Sequence, residues 1–83
     1  MSKDYISAAT VSKVTGISYP TVIRHIEQGK LTAYRESEAG KYKVDISDME
    51  LYAYAAWEAG YYMYNPYEQL HDRMRIYGIL ETV

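Results

Sequence analysis

Apolar residues recur along this chain at helical spacing in four places, each preceded by the same kind of start signal. Ile6-Ser7 leads into Ala8-Ala9-Thr10-Val11, where the Ser7 hydroxyl can accept from an unpaired first-turn N–H and Ile6 can pack against Val11. Ile17-Ser18 leads in the same way into Tyr19-Pro20-Thr21-Val22, with Pro20 where the amide has no intrahelical partner to lose. Ile46-Ser47 precedes Asp48-Met49-Glu50-Leu51, and Ser47 with Glu50 makes a reciprocal capping box. Asn65-Pro66-Tyr67-Glu68 is a fourth start, with proline at the first helical position. Gly16, Gly29, Gly60 and Gly78 stand where a left-handed residue would close each helix. The pattern predicts helices over 7–15, 18–28, 47–59 and 65–77.

Between Gly29 and Ile46 the apolar positions alternate instead. Leu31–Arg35 and Lys41–Asp45 carry aromatic or β-branched residues at every second position, and the polar run Glu36-Ser37-Glu38-Ala39-Gly40 separates them. That is the pattern of a β-hairpin. The expected fold is mainly α with a small β-hairpin, a winged helix-turn-helix followed by C-terminal helices. Residues 1–59 form the winged domain. Residues 60–83 are a helical appendage that completes the core or serves oligomerisation.

The second predicted helix has two faces. At about 100° per residue, Val22, Ile23 and Ile26 point inward, whereas Thr21, Arg24 and Gln28 point outward, with Pro20 and His25 on the flanks. The wheel turns Tyr19 toward the core, although a first-turn residue can swing outward. A helix fits the major groove of duplex DNA, and its N-terminus presents free N–H groups to phosphate. Arg24 can fork onto a guanine edge, Thr21 can meet a base or a thymine methyl, and Gln28 can bridge to adenine or phosphate. Ser18 and Tyr19 sit at the phosphate end. In the hairpin, Arg35, Lys41 and Lys43 supply positive charge. The candidate DNA-binding set is therefore Ser18, Tyr19, Pro20, Thr21, Arg24, His25, Gln28, Arg35, Lys41 and Lys43.

Charge tempers this picture. The chain of 83 residues has a net charge of −2, divided as +2 over residues 1–45 and −4 over residues 46–83. Such a balance can orient a protein on phosphate but supports only modest, salt-sensitive affinity. There is no cysteine, hence no disulfide and no thiolate zinc site, and the two histidines have no metal-ligand spacing. No Ser/His/Asp arrangement or phosphate-cradling glycine loop is present, so neither an enzyme nor a cofactor is expected. No apolar run approaches the roughly 20 residues of a membrane span. The start Met1–Tyr5 lacks the apolar stretch of a signal peptide, which points to the cytoplasm.

The run from Tyr5 to about Ala56 resembles the excisionase and mercury-resistance-regulator (MerR) class of winged-helix DNA-binding domains. The residues that carry the likeness are Ile17-Ser18-Tyr19-Pro20-Thr21-Val22, Gly29-Lys30-Leu31 and Ile46-Ser47-Asp48-Met49-Glu50. The resemblance implies a second helix in the major groove and a wing on the backbone or minor groove. It also implies a transcription regulator or excisionase-like architectural factor of a bacterium, phage or mobile element. Thr10 stands where the class usually has an acidic residue, and Glu36 and Glu38 occupy a wing that is often rich in arginine.

The third helix is apolar nearly all round, and the fourth offers Tyr67, Leu70, Met74 and Tyr77 as a stripe. The two can pack on each other within one chain or on a second copy. Eleven tyrosines and no phenylalanine suit a half-wet interface, and a small core gains from a partner. A homodimer through Tyr54, Trp57, Tyr61, Tyr67, Leu70, Met74 and Tyr77 is the expectation. The competing function is a protein-interaction module, an inhibitor or adaptor of phage type, that uses this acidic, tyrosine-rich half.

Overall fold

Two strands run directly into helices, and this joint organises the chain. In a computed structural model that describes residues 5–61 and 63–79, β1 (Tyr5–Ser7) leads into α1 (Ala8–Thr15), which is followed by α2 (Tyr19–Glu27). Later, β2 (Lys43–Asp45) leads into α3 (Ile46–Glu58), and α4 (Pro66–Ile76) closes the described part. β1 and β2 pair antiparallel, with Tyr5 opposite Asp45, Ile6 opposite Val44 and Ser7 opposite Lys43. Mainly helical with a small two-stranded sheet is thus the observed architecture. Tyr62 of the tyrosine-rich segment and both chain ends lie outside the described residues.

Each helix end falls within one residue of its predicted place. Ser7 accepts from the Thr10 amide at 3.1 Å, and Asn65 accepts from the Tyr67 amide at 3.0 Å, as start signals require. The third start is a correction. Asp45, not Ser47, caps α3: its carboxylate takes the Ser47 amide at 2.8 Å. β2 ends one residue before the helix, so the strand's last side chain already reaches the orphan N–H groups. Gly16, Gly29, Gly60 and Gly78 all have positive φ. After the last three, an amide bonds back to a carbonyl five residues earlier: Lys30 to His25, Tyr61 to Ala56 and Ile79 to Met74.

The expected hairpin is also corrected. Residues 31–35 form no strand; Tyr34 and Lys43 exchange one pair of backbone bonds, at 2.8 and 2.7 Å, as an isolated bridge. β2 takes its longer pairing from β1, which the pattern did not predict. With Val44 fully buried and Ile6 half-buried, that pairing covers the core, whereas the 35–42 loop stays mostly exposed.

The core is one cluster. It joins Val11 and Val14 of α1, Val22 of α2, Val44 of β2, Met49, Tyr52, Ala53 and Ala56 of α3, and Leu70 and Met74 of α4. Leu70 and Met74, expected in a dimer stripe, are instead buried inside the chain at 2% and 0% exposure. α4 is further tied to α1 by Arg73. Its Nε donates to the Val14 carbonyl and its Nη2 to the Lys13 carbonyl, both at 2.7 Å. These are last-turn acceptors with no helical partner of their own, and a cation is favoured there. The guanidinium also lies 3.6 Å from the centre of the Tyr64 ring. That ring in turn covers Gly16, where an added Cβ would meet it at 3.2 Å.

Gly16→Ala is therefore expected to cost about 1–2 kcal/mol, from the left-handed backbone and the crowded ring together. Met74→Ala is expected to cost about 2–5 kcal/mol. Urea denaturation of both variants checks these values.

Candidate nucleic-acid interface

α1 and α2 are joined by Gly16-Ile17-Ser18, and the turn is held from both sides. The Ser12 hydroxyl donates to the Ile17 carbonyl at 2.6 Å, and the Ile17 amide donates to the Thr15 hydroxyl at 3.2 Å. With Ile17 buried as an anchor, α2 leaves the turn with one face in the core and one outside.

On the outer face, Ser18, Pro20, Arg24 and Gln28 are exposed and Thr21 is half-buried. The Ser18 hydroxyl does not cap the helix; it donates to the Thr21 hydroxyl at 2.8 Å. Arg24 Nη2 makes a long contact of 3.5 Å to that same oxygen. Thr21 thus steadies both neighbours while Arg24 keeps its other donors free. Tyr19 is half exposed, so its ring turns outward rather than into the core.

His25 is the main correction on this helix. It is 1% exposed and lies in the core, not on the outer flank where a DNA contact was expected. Nδ1 is 2.6 Å from the Tyr52 hydroxyl and Nε2 is 3.0 Å from the Tyr61 hydroxyl. Burial, with Lys30 and Arg24 nearby, holds its pKa below the ordinary histidine value. Burial and Tyr61 push the Tyr52 hydroxyl up to about 12. At 40° from Thr21 on the wheel, His25 sits at the edge between the two faces, so its pattern alone did not assign it.

Beside α2 lies an open groove of about 540 Å³. Tyr19, Ile23 and Glu27 form one wall, Ser7 and Ala8 at the start of α1 form the floor, and Arg35, Gly40, Lys41 and Tyr42 form the other wall. Arg35 is partly engaged within its own loop: Nη1 donates to the Glu38 carbonyl at 3.0 Å and the guanidinium sits 4.7 Å from the Tyr42 ring centre. Lys41 and Lys43 are exposed. Glu27, which the helical pattern left unassigned, brings an acidic group into this otherwise basic groove; its position four residues after Ile23 and eight after Tyr19 was the available signal. Among the described residues there is no group of three or more His, Cys, Asp and Glu that could hold a metal ion. No described helix is long and apolar enough to cross a membrane.

The expected dimer residues divide. Tyr61 turns inward to His25, joining Leu70 and Met74 as groups engaged within the chain. Trp57, Tyr67 and Tyr77 remain exposed, and Tyr54 is half-buried with its ring 4.6 Å from that of Tyr67. The Tyr67 hydroxyl donates to Glu58 at 2.6 Å, and that bond raises its pKa.

The two serines before α1 and α2 should behave differently on truncation. Ser7→Ala is expected to cost about 1 kcal/mol, whereas Ser18→Ala should stay within about 0.5 kcal/mol, as thermal denaturation can show. Compared with protein-family models, curated proteins and solved structures, the chain matches none.

Proposed function

We propose that this protein is a sequence-specific double-stranded DNA-binding protein of winged helix-turn-helix type, a transcription regulator or an architectural factor in recombination. The observation that carries the reading is the outer face of α2. Thr21, Arg24 and Gln28 line one side of a helix whose other side is anchored by Val22 and His25. In this reading α2 enters the major groove and Arg24 reads a guanine edge. The 35–42 loop is the wing, with Lys41 and Lys43 on phosphates. Ser18 and Tyr19 meet the backbone at the helix start.

A second copy is part of the proposal. The exposed Tyr67, its ring tilted against that of Tyr54, together with Leu51 at 69% exposure, leaves apolar surface on the half of the chain that carries the negative charge. Two copies would double the few base contacts that one α2 can make. The same surface is also what favours the other reading, a protein-interaction module. A gel shift on random duplex at low salt separates the two, because no shift at micromolar protein selects the interaction module.

On a duplex selected in vitro, Arg24→Ala is expected to lose about 1–3 kcal/mol of affinity and to relax one base position. Lys41→Ala should weaken all sequences alike and lower the salt slope by about 1. Equal binding by Arg24→Ala and the parent would end the assignment of α2. In sedimentation the parent is expected to be a dimer and Leu51→Glu/Tyr67→Glu a monomer; a monomeric parent removes the second copy.

A further inference from the structure

His25 follows Arg24 on α2, yet its ring is held in the core by tyrosines from α3 and from the segment after Gly60. We infer that His25, Tyr52 and Tyr61 form a positioning lock for the outer face of α2, which protonation of the imidazole opens, so that DNA binding weakens in mild acid. The inference rests on the DNA-binding reading of that face.

The chemistry of the ring makes the lock. A neutral imidazole has one N–H donor and one bare acceptor nitrogen. One tyrosine must therefore accept from the ring and the other must donate to it, and both contacts are short. The two tyrosine rings meet the imidazole edge-on, at centroid distances of 5.5 and 4.8 Å, which fixes its plane. Protonation places N–H on both sides. The tyrosine that was donating then loses its acceptor and must turn its own proton elsewhere.

The new charge has poor surroundings. Arg24 from α2 and Lys30 from the following turn disfavour it, while α3 and the next segment present the hydroxyls of Tyr52 and Tyr61. The folded protein thus favours the neutral ring. Stability from this source is complete above the unfolded value of about 6.5 and falls away as the pH drops from there through the lower folded value.

Movement at His25 reaches the outer face by a short path. Its carbonyl accepts from the Lys30 and Leu31 amides at 2.8 and 3.3 Å, and its neighbour Arg24 accepts from the Gln28 amide at 2.9 Å. A ring displacement that moves the His25 backbone would carry Arg24 and Gln28 with it. An added positive charge near DNA would by itself strengthen binding, so the direction of the pH effect is diagnostic.

The test is duplex binding from pH 7.5 to 5.0 at fixed ionic strength, for the parent, His25→Gln, Tyr61→Phe and His71→Gln, with the His25 titration followed by NMR in the free protein. The parent should lose affinity in acid, by up to about tenfold for each pKa unit by which seating α2 lowers His25. His25→Gln should bind more weakly than the parent at pH 7.5 but lack this acid-induced loss. Tyr61→Phe should move the midpoint, since one partner of the ring is gone, and His71→Gln should leave the parent's profile in place. A parent affinity that is flat or rises in acid, or a parallel fall in His25→Gln, overturns the lock. If no protein binds duplex at pH 7.5, it is the DNA-binding reading that fails. The lock is then judged on unfolding alone, where equal acid loss of stability in parent and His25→Gln overturns it.

Discussion

A buried imidazole cannot be left without partners, and the placement of α2 follows from how His25 finds them. Removing a polar ring from water costs several kcal/mol unless both nitrogens are bonded. The hydroxyls of Tyr52 and Tyr61 meet that need from different parts of the chain, one on α3 and one past its end. Tyr61 arrives because Gly60 turns the backbone left-handed and its own amide bonds back to Ala56. A glycine at a helix end thereby brings a partner to a buried ring more than thirty residues earlier in the chain.

The other end of the helix pair depends on Arg73. Its two bonds to α1 carbonyls and its stacking on Tyr64 fasten α4 across the turn that launches α2. Leu70 and Met74 add the apolar contact that makes this attachment part of the core rather than a surface graft. A chain of this length has little interior to spare, so a fourth helix that fills it contributes more than one that hangs free. Among the described residues no buried side-chain nitrogen or oxygen lacks a partner, which fits a small core that tolerates no loose polar group.

What these anchors leave outside is a narrow strip of chemistry. Arg24 keeps donors free above Thr21, Lys41 stands across a groove that Glu27 shares, and Lys43 is exposed on β2. Under the proposed reading, that mixture limits non-specific attraction and places the burden of affinity on a few base contacts and on a second copy. The half that would recruit the copy carries the negative charge.

Much of the fold was legible in the residues because its signals are local. A cap such as Ser7 or Asn65, a proline in the first turn and a glycine at the stop act within one helical turn, so the four helices could be read directly. The Thr21, Arg24 and Gln28 face was legible for the same reason: period alone separates it from Val22. Tertiary structure decided what depends on distant partners. The three residues of β1 carry no pattern and exist as a strand because β2 offers them hydrogen bonds. Asp45 displaced Ser47 as a cap because the strand delivered its carboxylate first. His25 lay at the edge of two faces, and only tyrosines at positions 52 and 61 could draw it inward. Leu70 and Met74 read equally as a core or a dimer stripe, since an apolar stripe records that it must be covered but not which chain covers it.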